Sequence, residues 1–135
     1  MKEALSESGI YIGKSATAMV LVDKSNTAKA VGSGSLDVFA TPMMIALIEA
    51  AACNCLSDGV EAGYSSVGTT INVEHTAASP LGAKITATAV IAGIETRKIM
   101  FEVSAYDTKG EIGRGTHERV IISDDRFMAK ADSRL

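Results

Sequence analysis

The sequence is short of aromatic and cysteine side chains, and this limits how it can fold. Of its 135 residues, 4% are aromatic, none is Trp and two are Cys. The core must therefore be built from Ile, Val, Met and Ala. Cys53 and Cys55 are two apart in a predicted helix, where their side chains point in different directions and cannot readily pair. We expect both to be small buried side chains in a reducing compartment.

The chain also lacks an excess of positive charge and any long apolar run. Its net charge of −3 argues against a nucleic-acid partner, which would usually meet a basic stripe. No run of about 18 apolar residues is present, so we expect no membrane partner. Residues 1–14 lack the apolar core of a secretion signal, which predicts a cytoplasmic protein. The length and the 47% hydrophobic content predict a single domain, residues 1–135, with a substantial core.

The strongest helix prediction covers residues 41–58. Thr41 is a good N-cap, Pro42 stands at the preferred first helical position, and Gly59 suits the residue just beyond the end. The interval is apolar on nearly every face, which predicts a helix buried all round. Such a helix must be wrapped by the rest of the chain.

Strand patterns supply that wrapping. A strand is predicted at residues 16–24, a Ser- and Gly-rich loop at 25–39, and the remaining strands within 66–123. In residues 98–107 apolar and polar side chains alternate, as in a half-buried antiparallel strand. The order predicts an α+β hot-dog fold, a curved antiparallel sheet wrapped around one long central helix. An ordinary layered sheet would leave part of the helix facing water. Edge strands and uncovered apolar surface predict a homodimer.

Glu49 is the only charged side chain between Pro42 and Ser57. A carboxylate there needs a partner, or its pKa rises, which makes it a functional candidate. The alternative is a Glu paired with an Arg of the sheet for packing alone. Thr41, besides capping the helix, lies where a helix N-terminus favours developing negative charge. The two residues are two helical turns, about 12 Å, apart, so a ligand or third residue must lie between or beside them.

Two histidines and one glycine complete the candidates. His75 lies at the end of a predicted strand, where it is either structural or a general base near Glu49. His117 lies in a predicted strand, and the spacing after it is not that of H-E-x-x-H, so no metal site is predicted. Gly68 interrupts a strand pattern, which indicates a bulge or a close backbone approach. Its N–H could bind an oxyanion.

Four separate segments resemble the fluoroacetyl-CoA thioesterase family of hot-dog proteins. They are FATPMMIALIE at residues 39–49, GTTINVEHTAA at 68–78, EIGRGTHER at 111–119 and FMAK at 127–130. The resemblance extends over about residues 37–131, and the spacing between the segments is consistent with the family.

The resemblance implies roles for five residues and a reaction. The family's catalytic threonine, glutamate and histidine fall on Thr41, Glu49 and His75, its backbone-contributing glycine on Gly68 and its motif arginine on Arg119. The implied activity is hydrolysis of an acyl-CoA thioester to the free acid and CoA. The substrate is then a small molecule, and no cofactor is expected beyond the CoA that it carries.

One segment departs from the family, and some choices stay open. The family's namesake has a phenylalanine-lined lid before the helix, whereas residues 32–37 read GSGSLD. We therefore expect a short or unusual acyl group rather than selectivity for a fluorinated one. Glu49 as nucleophile and His75 as activator of water are both compatible with the sequence. An acyl-CoA-binding module without turnover, a hot-dog hydratase and a structural dimer are the alternative functions.

Overall fold

The computed structural model describes residues 9–135, and these form one antiparallel sheet with helices. The elements in chain order are β1 (Ser15–Leu21), α1 (Ala28–Val31), α2 (Thr41–Leu56), β2 (Tyr64–His75), β3 (Lys84–Glu95), β4 (Lys98–Asp107), β5 (Gly110–Ser123) and α3 (Asp124–Asp132). Among these residues no helix is long and apolar enough to cross a bilayer.

The sheet has the strand order β1-β3-β4-β5-β2, so β1 and β2 are its edges. All neighbouring strands are antiparallel, and β3, β4 and β5 are joined by tight turns. Register shifts interrupt the β2–β5, β3–β4 and β4–β5 ladders. Such irregularities bend strands and increase twist, which lets the sheet curve around a helix.

Helix α2 packs on the sheet through one side only. Its buried side chains include Met44, Ile48 and Cys55, which join sheet residues such as Ile99 and Phe101 in the core. The opposite side carries exposed residues, namely Pro42, Ala46, Ala50, Cys53 and Asn54. The expectation of a helix buried on every face is therefore wrong for the single chain, and so is the expected burial of Cys53. The sheet covers half of the helix and leaves an apolar half uncovered.

The segment predicted as a loop at residues 25–39 is more ordered than expected. Thr27 caps α1 by accepting a hydrogen bond from the Ala30 amide, and Gly32 ends the helix in the left-handed conformation. A bridge between Thr27 and Phe39 closes the segment just before α2. The buried Phe39 thereby fixes where α2 begins.

Two further features lie at the end of the sheet where β5 stops. Helix α3 follows β5 directly and was not predicted, because its sequence is polar on most sides. The β3–β4 turn consists of Thr96 and Arg97, since Glu95 pairs with Lys98. Thr96 has a φ of 56°, and it is the only non-glycine residue with positive φ among residues 9–135.

Candidate active site

The N-terminus of α2 holds one half of the candidate site. Helix α2 begins at Thr41, and Ala40, which has no side chain to cap with, occupies the N-cap position. The expected N-cap role of Thr41 is therefore wrong. Its hydroxyl instead makes a 2.7 Å hydrogen bond with Nδ1 of His75. Because that hydroxyl does not cap the helix, its orientation is set by the imidazole.

His75 ends β2 and is half-buried. With Nδ1 bonded to Thr41, its Nε2 is buried and meets no hydrogen-bond partner within residues 9–135. Burial lowers the pKa of His75 below the ordinary value for histidine, which favours the neutral ring at pH 7. A buried polar atom without a partner is costly, so Nε2 marks a position for a water or a ligand group.

Both side chains line a cavity of about 270 Å³, together with Phe39 and residues 76–78. The ordered segment before α2 forms its other wall, through Ala28, Ser33 and Val38. The backbone at the start of α2 adds the positive end of the helix dipole. A carbonyl or carboxylate oxygen in this cavity would therefore meet a favourable field.

The middle of α2 holds the second half of the candidate site, around Glu49. Nη1 of Arg119 donates to Oε2 of Glu49 at 3.0 Å, and Nε2 of His117 lies 3.9 Å from the same oxygen. The Glu49 side chain is 41% exposed, whereas that of Arg119 is 7% exposed. The carboxylate is therefore anchored on a buried cation while part of it remains accessible.

Arg119 is fixed by more than its ion pair. Its Nε donates to Oγ of Ser66 at 2.8 Å, and its Nη2 donates to the Ser66 carbonyl at 3.1 Å. These bonds use the rigid fork of the guanidinium, which lysine could not reproduce. Arg119 thus both anchors Glu49 and ties it to the sheet. The Glu–Arg pair that the sequence offered as a structural alternative is therefore present, while Glu49 stays partly accessible.

His117 belongs to this cluster, although no role was predicted for it from the sequence. Its side chain is 1% exposed, and its Nδ1 lies 2.7 Å from the Thr70 carbonyl, so Nδ1 carries the proton. Nε2 then accepts from Nη1 of Arg119 at 3.2 Å. Burial lowers the pKa of His117, which favours the neutral ring. The signal for this role was the two-residue period of β5, which puts residues 117 and 119 on one face.

Gly68 lies at a bulge and at a close approach, the two readings that the sequence offered. It pairs with Arg119, and the β2–β5 register shifts between Gly68 and Thr70. A side chain at Gly68 would collide with Oε2 of Glu49. Glycine therefore leaves room for the carboxylate, and a cavity of about 220 Å³ opens there between Glu49, Gly68 and His117.

The candidate site residues thus lie in two separate groups, one around Thr41 and His75 and one around Glu49 and Arg119. Thr41 contacts His75, whereas Glu49 contacts Arg119, and within the described part of the chain no hydrogen bond or ion pair joins Glu49 to His75. The expectation that His75 acts near Glu49 is not met by a direct contact inside one chain. The imidazole beside Glu49 is that of His117.

Comparison with known proteins gives a consistent result. Residues 22–125 match the family described as fluoroacetyl-CoA-specific thioesterase. The chain is 45% identical over 94 residues to a fluoroacetyl-CoA thioesterase from Streptantibioticus cattleyicolor, a match covering 70% of this chain and 68% of that protein. A solved structure of a fluoroacetyl-CoA thioesterase superposes with a TM-score of 0.88 at 35% identity, covering 93% and 98% of the chains. A thioesterase superfamily member from Thermus thermophilus superposes with a TM-score of 0.85 at 25% identity, covering 92% of each chain.

Proposed function

The chain belongs to the fluoroacetyl-CoA-specific thioesterase family, and we propose on this basis that it hydrolyses a short acyl-CoA to the free acid and CoA. It has the hot-dog fold of its relatives and is an acyl-CoA thioesterase. The segment at residues 32–37 contains no phenylalanine, so we extend the proposed substrates from fluoroacetyl-CoA to short or unusual acyl groups. The reaction as proposed uses no cofactor.

The observation that carries the proposal is the Thr41–His75 pair with its unpartnered Nε2. In the proposed mechanism the thioester carbonyl lies at the start of α2, and Nε2 of His75 takes a proton from the attacking water. The new carbon–oxygen bond gives a tetrahedral intermediate, which collapses as the carbon–sulfur bond breaks. His75 then returns the proton to the leaving sulfur. A neutral imidazole is the form that this step requires.

Glu49, Arg119 and Gly68 form the other part of the proposed mechanism. Arg119 holds Oε2 of Glu49, which leaves Oε1 for the reacting group. Two routes are compatible with this geometry. In the first, Glu49 positions the water that His75 activates. In the second, Glu49 itself attacks the carbonyl and the carbon–sulfur bond breaks, which gives an anhydride and CoA thiolate; water activated by His75 then hydrolyses the anhydride, and a proton from that water goes to the thiolate. In both routes we assign the backbone at Gly68 to stabilisation of the oxyanion.

A homodimer is part of the proposal because it would unite the two groups. The outer edge of β2 has no partner strand within residues 9–135, and the adjacent half of α2 is apolar and exposed. Antiparallel two-fold pairing of β2 with its copy would bring the Gly68 end of one β2, which lies beside Glu49, toward His75 of the partner subunit. It would also cover the uncovered half of α2. We retain a cytoplasmic location as a further part of the proposal.

The test is thiol release from a panel of acyl-CoAs, including acetyl-, fluoroacetyl- and enoyl-CoA. We expect release from short acyl groups and a loss of about 10²–10⁴-fold in kcat in His75→Ala, the range for a general base. Glu49→Gln should be similarly impaired, and Glu102→Gln on an exposed strand position is the matched control. Saturable binding without release would indicate a binding module. Loss of enoyl absorbance without release would indicate a hydratase, and full activity in both site variants would refute the site.

A further inference from the structure

A cavity of about 610 Å³ lies away from both groups, where α3 and the β3–β4 turn meet the end of β5. Its volume falls within the range of about 300–1,000 Å³ that is usual for small-molecule sites. Three cations line it, namely Arg97 of the turn and Arg126 and Lys130 of α3. Arg126 and Lys130 are one helical turn apart, so they share a face of α3.

The charge of this cavity contrasts with that of the chain. The protein carries a net charge of −3, yet within residues 9–135 no acidic side chain lines the cavity. None of Arg97, Arg126 and Lys130 forms an ion pair with another described residue. Three cations around one concave surface attract an anion with several negative charges, such as a phosphate ester.

The lining also includes aromatic surface. Phe127 of α3 is 40% exposed, and Tyr64 forms another wall. Exposed aromatic rings next to arginine are typical of surfaces on which nucleobases stack. The combination therefore favours a phosphorylated nucleotide over inorganic phosphate.

The cavity is at a suitable distance from the candidate active site. Tyr64 also lines a smaller, mostly apolar cavity of about 220 Å³ with Leu56, Val60 and Ser66, and Ser66 holds Arg119 beside Glu49. Gly68 and Tyr64 are four residues apart on β2, roughly 13 Å in an extended strand. An extended pantetheine arm, comparable to a peptide of about four residues, spans roughly 15 Å.

We propose that this basic cavity binds the phosphorylated nucleotide of CoA. Arg97, Arg126 and Lys130 contact its phosphate groups, Phe127 stacks on its adenine, and the pantetheine arm passes Tyr64 toward Gly68. This inference rests on the proposed function, since it supplies the part of the same substrate that does not react. The site contributes to binding and leaves the chemical step unchanged.

The test compares substrates that have and lack the nucleotide. Arg126→Gln with Lys130→Gln, and separately Arg97→Gln, should raise KM for the acyl-CoA about tenfold, since a charge-assisted hydrogen bond is commonly worth that factor. kcat should stay the same, and kcat/KM for the matching acyl-pantetheine should not change. Lys109→Gln, in the β4–β5 turn, is the control and should behave as wild type. A wild-type KM in the variants, or an equal loss with acyl-pantetheine, would overturn the proposal.

A binding measurement tests the nucleotide site independently of whether the protein hydrolyses thioesters. Calorimetric titration with adenosine 3′,5′-bisphosphate needs no turnover, and it should give binding to wild type that weakens about tenfold in the double variant. Absence of binding to wild type would refute the nucleotide site even in an active enzyme. Binding that depends on these residues, without thiol release from any acyl-CoA, would leave the site standing and refute the hydrolase.

Discussion

A heterodimer with Glu49→Ala in one subunit and His75→Ala in the other tests whether the active site is shared between chains. In one chain the carboxylate lies two helical turns, about 12 Å, from the Thr41–His75 pair along α2. If each site takes Glu49 from one subunit and His75 from the partner subunit, the heterodimer contains one site with both residues and one with neither. Its expected activity is about half that of wild type, by the symmetry of a two-fold dimer.

The opposite arrangement gives a very different number. If both residues of each site came from the same chain, each site of the heterodimer would lack one of them. Activity would then fall about 10²–10⁴-fold, the usual loss of a general base or its equivalent. The two expectations differ by at least about fiftyfold, which is far larger than the error of a rate measurement.

The assay requires a defined heterodimer. Coexpression of the two variants with different affinity tags, followed by two affinity steps, isolates the mixed species, and thiol release from the best acyl-CoA gives its activity. The two homodimeric variants are the controls and should be inactive. Activity of the heterodimer at their level, or failure to recover any mixed species, would refute the shared site.

Three further predictions concern the residues around the two groups. Gly68→Ala should lower kcat about 10²-fold because the new methyl group displaces Oε2 of Glu49. Thr69→Ala is the control and should leave kcat unchanged. An unchanged kcat in Gly68→Ala would show that the close approach of Gly68 to Glu49 is unimportant. In a pH–rate profile the acid limb of kcat/KM should inflect below about 6.5, because burial lowers the pKa of His75 and a base must be neutral. An inflection above that value would contradict the assignment. Finally, the pKa of His117 is lowered in the fold, so its contribution to stability is complete above about pH 6.5 and is lost as pH falls. His117→Gln should therefore have a Tm that varies less between pH 7 and pH 5.5 than that of wild type.

Local patterns predicted most of the sheet. The alternation in residues 98–107 predicts β4 at the residues where the structure has it, because side chains of a half-buried strand must alternate between core and solvent. Helix α3 escaped the same reasoning. It is nine residues long, is polar on average and buries no side chain, so it gives periodicity only a weak signal.

Features that depend on partners were harder to predict. An apolar helix indicates burial but does not say whether the same chain or a copy covers each face, and α2 is covered on one side by its own sheet. Thr41 has the chemistry of an N-cap, and only the position of His75 shows that its hydroxyl has another partner.

The roles of the candidate site residues stay predictions, and the structure adds how these residues are arranged. Thr41, Glu49, His75, Gly68 and Arg119 all lie in one or other of the two groups. Their division between the two groups depends on distances in the folded chain. The spacing of residues 41 and 49 along the helix predicted only that these two do not touch. His117 was considered for metal binding alone, because its bond to Arg119 depends on a strand face rather than on a motif.

The left-handed conformation of Thr96 has a consequence for any attempt to make this protein more heat-resistant. A β-branched residue in that region is typically strained by about 1–3 kcal/mol, and glycine would relieve the strain. The next residue is Arg97, which lines the basic cavity. Thr96→Gly should therefore raise the melting temperature. It should also give the Arg97 guanidinium more conformational freedom, so that a gain in thermal stability at this turn is accompanied by a loss in affinity for the nucleotide.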